Sequence, residues 1–298
     1  MRARQPDRED FIVRDGVKIG FWVYENHGPT ILLMPTWSIV HFRHWKMQVA
    51  YLARHFRVVA FDGRGNGVSD RPTEPAAYAD VEFVADAVAV LDATDTDRAV
   101  VAGVSIGGHW AALLAGLHPH RILGAILIAP STSLLPRAPA RLAYAWDEEL
   151  DTEEGWAKYN MHFWRRSYRD FTEFFFSQAF SEPHSTKQRE DAVEWASETD
   201  AETLIATQLA EEVIGDDERS TLESIRCPVL LIHGTDDHIR PHPASKMLKE
   251  LVGGTLLTID GGGHCPQARD PVLVNLAIHR FVENLRTVAS RQSAEVPA

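Results

Sequence analysis

The chain has 298 residues, 45% hydrophobic and 24% charged, which is the composition of a folded protein with length for one large core and not of a disordered or fibrous chain. Forty-two Asp and Glu against 30 Lys and Arg give a formal charge of −12, which disfavours nucleic acid and anionic membrane surfaces as partners. Two cysteines, Cys227 and Cys265, cannot supply a disulfide framework, MRARQPDRED lacks a signal-peptide core, and no apolar run reaches the roughly 20 residues of a membrane span; a cytoplasmic protein without membrane insertion is expected.

In chain order, the β-rich stretches 11–14 and 18–25 around Asp15-Gly16 predict an opening hairpin. Short apolar runs then alternate with segments of helical period, the pattern of parallel strands joined by crossover helices. The runs are ILLM (31–34), RVVAF (57–61), AVVAGV (99–104), ILGAILIA (122–129), PVLLIH (228–233) and TLLTID (255–260). Helices are expected over 44–55, 80–94 and 106–117 and after each of the last two strands. A hairpin plus six such units predicts an α/β fold, a doubly wound, mostly parallel sheet of eight strands.

Between 134 and 219 the strand signal stops and helix-like stretches take over, at 156–168, 171–180 and 187–212. This predicts a helical cap inserted into a core made of 1–133 and 220–298, resting on the strand ends where open α/β sheets bind ligands. The insertion holds 13 of the 27 aromatic residues and carries a net charge of −11, leaving the rest of the chain near neutral. Part of that acidity at a pocket mouth would repel anionic substrates.

The most informative residues are Gly103-Val104-Ser105-Ile106-Gly107, set between a strand and a helix. A sharp strand-to-helix turn of this kind crowds the backbone, so glycine is needed on both sides, and the serine is raised above the sheet at a helix amino terminus that favours negative charge. A serine hydroxyl is a weak nucleophile and needs a base oriented by a third group. His264, in the glycine-rich loop DGGGHCPQARDP after the last strand, can supply the base, and Asp236 or Asp237, after PVLLIH, the acid. All three come from strand carboxyl ends, in the order Ser, Asp, His.

With these residues the chain resembles an α/β-hydrolase of the group with a helical cap, over roughly residues 10–290. A second stretch, FDGRGNGVSD (61–70), is similar to the family's D-x-R-G-x-G-x-S segment, through Asp62, Arg64, Gly65, Gly67 and Ser69. The resemblance selects Asp237 as the acid. It also implies an oxyanion hole made by the backbone N–H groups of Trp37 and Ile106, although Pro35-Thr36 stand where His-Gly is common and proline has no N–H to give. Ser105 in place of an aspartate disfavours epoxide opening and halide displacement.

The reaction implied is hydrolysis of an ester or lactone of a medium-sized, neutral, apolar or aromatic substrate through an acyl-enzyme. A carbon-carbon bond hydrolase of a diketone-like substrate keeps the same residues, as would a thioesterase or acyltransferase, for which nothing marks a carrier site. A small-molecule receptor with a residual triad is the reading from another class. Thr36, His41, His44, Trp146 and Trp164 are candidate pocket residues. Gly63, Gly65 and Gly67 lack dinucleotide-loop spacing, and Pro241 and Pro243 break the His238/His242 pair as metal ligands, so no cofactor or metal is expected. Asp62 and Arg64 read as a structural loop pair. The sequence leaves a homodimer open.

Overall fold

The computed structural model describes residues 4–136 and 138–294. Asp15 and Gly16 both adopt positive φ, 50° and 80°, and this turn joins β1 (Arg8–Arg14) to β2 (Val17–Tyr24) in an antiparallel hairpin. β2 pairs antiparallel with β4 (Arg57–Phe61), and from there every pairing is parallel, through β3 (Thr30–Leu33), β5 (Ala99–Val104), β6 (Ile122–Ile128), β7 (Val229–Gly234) and β8 (Thr255–Ile259). The eight strands lie in the order β1-β2-β4-β3-β5-β6-β7-β8. β3 and β5 are buried along their whole length, which is why they read as continuous apolar runs without alternation.

Helices cover both faces. α2 (Asp80–Ala93), α3 (Ile106–Leu117) and α8 (Pro243–Val252) enclose one core layer, in which the Phe83 and Trp110 rings stack 3.7 Å apart. α1 (Lys46–Leu52) and α9 (Pro271–Ala294) enclose the other, around Trp45, Phe56 and Ile278. Both layers are continuous with the sheet, so the strand ends are held rigidly.

Among the described residues, four α-helices lie between β6 and β7. The stretches expected at 156–168 and 171–180 are largely joined in one helix, α4 (Met161–Ala179), bent where Ser167 leaves helical geometry (φ −146°, ψ 55°). The stretch expected at 187–212 is split into α5 (Thr186–Ala196) and α6 (Ala201–Gln208), because the Asp200 side chain accepts from the Thr203 N–H at 2.8 Å and starts a new helix. A third apolar cluster, including Phe163, Trp164, Phe171, Phe176 and Phe180, fills α4 to α6 and packs on Ile39, Val40 and Ile239 from loops after β3 and β7. α7 (Gly215–Glu223) spans the expected 219/220 boundary and packs on α3, where a Cβ on Gly116 would lie 2.2 Å from the Thr221 carbonyl oxygen. No described helix is long and apolar enough to cross a membrane.

Candidate active site

Ser105 follows β5 with φ 58° and ψ −123°, a conformation that costs a non-glycine residue about 1–3 kcal/mol and is held by its surroundings. Its N–H donates to the Ile128 carbonyl at 2.9 Å, and its carbonyl accepts from the N–H groups of Gly108, His109 and Ser131. The flanking glycines are required by close approach: a Cβ on Gly103 would lie 1.9 Å from the Gly107 carbonyl oxygen, and one on Gly107 2.0 Å from that of Pro35. The second contact seats the Pro35–Trp37 segment directly against the first turn of α3. Thr36 is fixed there by its hydroxyl, which donates to the Val104 carbonyl at 2.9 Å. The N–H groups of Trp37 and Ile106 have no hydrogen-bond partner among the described residues.

His264 and Asp237 are joined after β8 and β7. A Cβ on Gly234 would lie 2.0 Å from the Gly262 carbonyl oxygen, so the two loops pack backbone to backbone, tied by the Asp236 N–H donating to that carbonyl at 2.9 Å. His264 Nδ1 lies 2.8 Å from Asp237 Oδ2, with both side chains buried. Asp236, the alternative acid, is more than half exposed and faces His238 at 3.3 Å. Burial alone would raise the Asp237 pKa, but the charge of His264 and the hydrogen bonds from His233 and His264 hold it well below the carboxylate range.

His233 is the functional-site residue that the sequence reading passes over. Its Nε2 lies 2.9 Å from the same Asp237 oxygen, and Asp237 Oδ1 accepts from the Ile239 and Arg240 N–H groups at 2.7 and 2.9 Å. The sequence signal was present in HGTDD, where His233 stands four residues before the acid.

Ser105 and His264 line one cavity of about 310 Å³ whose walls are mostly apolar, with Phe175 and Phe176 from α4, Phe180 just after it and Trp195 from α5 on the side of the inserted helices. Trp37 and Phe175 separate it from a smaller, more polar cavity of about 70 Å³ that also reaches Ser105 and Ile106. Trp37 is anchored into the cap by its indole N–H, which donates to the Thr207 hydroxyl at 2.8 Å, and by its ring against Phe175, 5.3 Å between centroids.

The other expected residues are distributed unevenly. Thr36 and His44 line the large cavity; His41, Trp146 and Trp164 do not. His41 sits near Glu198 and against Trp195, because its Nδ1 accepts from the Arg43 N–H and caps the turn at 42–45. Trp164 is fully buried against Phe171 and Trp146, and Trp146 borders only an outer hollow; these indoles fill the cap core. Among the described acidic residues of the insertion, only Asp191 lines the cavity of Ser105 and His264, paired to both Lys46 and Lys187, with Arg269 nearby on the rim. The acidity of the 134–219 insertion therefore does not line this mouth, and the lining does not carry the charge bias expected from it.

FDGRGNGVSD is structural, but not as an Asp62–Arg64 pair. Asp62 accepts from the N–H groups of Phe42 and Val68, while Arg64 forms a two-point pair with Asp86 at 2.6 and 2.9 Å. Burial raises the Asp62 pKa to about 6, against those two N–H donors. His238 is exposed, and His242 is turned to Thr258 at 3.1 Å. The Cys265 thiol lines the cavity, and burial pushes its pKa far up, which suppresses the nucleophilic thiolate.

A family model described as "alpha/beta hydrolase fold" matches residues 29–271. The chain belongs to the alpha/beta hydrolase fold family. It is 27% identical over 239 residues to "3-oxoadipate enol-lactonase 2" of Acinetobacter baylyi, covering 80% of this chain and 83% of that one. It is 27% identical over 258 residues to "Non-heme chloroperoxidase" of Streptomyces lividans, covering 80% and 87%. Its fold matches that of an esterase from Rhodococcus with a TM-score of 0.76 at 24% identity, over 93% and 98% of the two chains. This alpha/beta hydrolase is an enzyme, and its sheet presents Ser105, Asp237 and His264 on loops after β5, β7 and β8, at the edge where such folds bind ligands.

Proposed function

We propose that the protein is a serine hydrolase that cleaves an ester or lactone of a medium-sized, neutral, apolar or aromatic compound through an acyl-enzyme. The observation that carries this reading is the pairing of His264 Nδ1 with buried Asp237 while His264 and Ser105 line one cavity. With Nδ1 donating to Asp237, the lone pair of Nε2 is left for the serine hydroxyl. Ser105 Oγ attacks the carbonyl as Nε2 takes its proton. The N–H groups of Trp37 and Ile106 stabilise the oxyanion, the leaving oxygen takes the proton back, and water repeats the sequence to release the acid.

The lining supports the substrate class. Four aromatic rings on the cap side suit an apolar or aromatic group, and moving an ion out of water into such a wall is costly. Relatives named as a lactonase and an esterase point the same way. The helices between β6 and β7 act as the cap on a body formed by the rest of the chain.

The test is a panel of aryl esters, lactones, carbamates, thioesters and vinylogous diketones, run with wild type, Ser105→Ala, His264→Ala and Asp237→Asn. Ester or lactone turnover that falls at least a thousandfold in the first two variants is expected. Turnover of the diketones alone would move the assignment to carbon-carbon hydrolysis. Tight binding without turnover, unaffected by Ser105→Ala, would make the protein a receptor and overturn the reading.

A further inference from the structure

We propose that His233 is a positioning residue, a second imidazole that fixes the Asp237 carboxylate and shares its charge with His264; this rests on the roles just given to Asp237 and His264. His233 is fully buried at the end of β7. Its Nε2 faces two acceptors, Asp237 Oδ2 at 2.9 Å and the Arg240 carbonyl at 3.1 Å, so Nε2 carries the proton. Nδ1 lies 2.7 Å from Ser245 Oγ and accepts its O–H. The order Ser245 O–H to His233, His233 N–H to Asp237, and His264 N–H to the same Asp237 oxygen fixes both tautomers without any proton left over.

The consequence is electrostatic as well as geometric. Asp237 receives four donors, two backbone N–H groups on Oδ1 and two imidazoles on Oδ2. Each donor stabilises the carboxylate and weakens its pull on any one partner. His233 therefore shares the carboxylate charge that would otherwise bear on His264 alone. One further effect bears on the carboxylate. Oδ1 is pinned by the backbone, so an Oδ2 with a single donor could pivot and carry His264 with it. The titratable and charged groups facing the His233–Asp237 pair are His264 and Cys265 from the β8 loop, Arg240 from its own loop, and His242, edge-on to His233 at 5.5 Å, with Lys246 from the α8 side. Of these, His264 hydrogen-bonds the carboxylate through its side chain, at 2.8 Å.

The experiment measures kcat/KM against pH, from 5 to 9, for hydrolysis of a nitrophenyl butanoate by wild type, His233→Phe and His233→Gln. In the Phe variant the acid limb should move up by about 0.5–1 pH unit and plateau kcat should fall about tenfold, with KM nearly unchanged. The Gln variant, whose amide can donate to Oδ2, should return the limb to within about 0.2 unit of wild type. A merely structural role would lower the plateau and leave the limb in place, and that result overturns the proposal. Should the Phe variant not fold, ¹⁵N-histidine NMR of the wild type decides: His233 is expected as the Nε2–H tautomer, and an Nδ1–H tautomer refutes the assignment. The same spectra follow His264 titration in wild type and His233→Gln without a substrate. If His264→Ala keeps full esterase activity, the functional reading falls; if it abolishes activity while His233→Phe leaves the limb unmoved, only this proposal falls.

Discussion

The backbone N–H of His264 donates to the carbonyl of Ala179 across 3.2 Å, so the loop bearing the imidazole is hydrogen-bonded to the last residue of the cap helix α4. The Gly263 N–H donates to Glu182 Oε1 at 2.7 Å, and the Ser181 hydroxyl to the Asp236 carbonyl at 3.1 Å. The segment after α4 thus braces both loops of the proposed acid and base, and ties the inserted helices to them.

Glu182 is the test of that brace. A hydrogen bond to a charged acceptor contributes about 1.5–3 kcal/mol, so Glu182→Leu should lower kcat about tenfold on an aryl ester. Glu182→Gln, which keeps an accepting oxygen, should stay within about twofold. Equal losses in both variants, measured by steady-state kinetics beside thermal unfolding, would argue that the brace does not reach His264.

The serine turn predicts a sharp contrast in stability. Gly107→Ala forces a Cβ onto the Pro35 carbonyl, a backbone atom that cannot step aside cheaply. Overpacking of this kind should cost about 3 kcal/mol and displace the Trp37 N–H. Ser105→Ala removes the hydroxyl without adding volume and should change the unfolding free energy by less than about 0.5 kcal/mol. Denaturant titration of the two variants checks both statements.

His109 sets a pH dependence of stability. Burial would depress its pKa, yet the Asp80 and Glu218 carboxylates, 3.2 and 3.4 Å away, raise it to about 9. The folded protein keeps that proton up to about pH 9, whereas the unfolded chain releases it near 6.5. The stabilisation is therefore complete below about pH 6.5 and lost as pH rises through 9, on the order of 3 kcal/mol in all. The same carboxylates hold the cap's connections to the body, since Glu218 accepts from the Ser133 N–H and Asp80 from the Val213 N–H. Tm measured from pH 6 to 10 should fall for wild type and fall distinctly less for His109→Gln.

Trp195 bounds the cavity from α5, with Lys46 over its ring at 5.1 Å. Trp195→Ala should open the apolar wall and raise the octanoate-to-butanoate ratio of kcat/KM about tenfold, the discrimination a few methylenes carry in an apolar pocket. An unchanged ratio across a nitrophenyl ester series would place the acyl chain elsewhere.

Much of the scaffold was legible in the chain because its signals are local. β4, β5 and α3 begin and end where their apolar runs do, and Gly103 and Gly107 mark a turn that tolerates no side chain. The helical insertion announced itself by the loss of strand-like runs. Its internal boundaries were less legible, since a kink at Ser167 and a cap at Asp200 are single-residue events inside long helix-compatible stretches.

The sequence by itself determined the strands, the parallel order they favour and the presence of Ser105, an acid and His264 on loops that parallel strands bring to one edge. The resemblance already favoured Asp237 over Asp236, and the tertiary structure supplies the physical difference between these neighbours. Asp236 and Asp237 are adjacent and chemically identical, and what separates them is that backbone N–H groups and two imidazoles enclose one while the other points to solvent. The same holds for His41 and His44 and for the cap aromatics. Which face of a residue meets the cavity depends on how pieces far apart in the chain pack, and local periodicity carries no record of that distance.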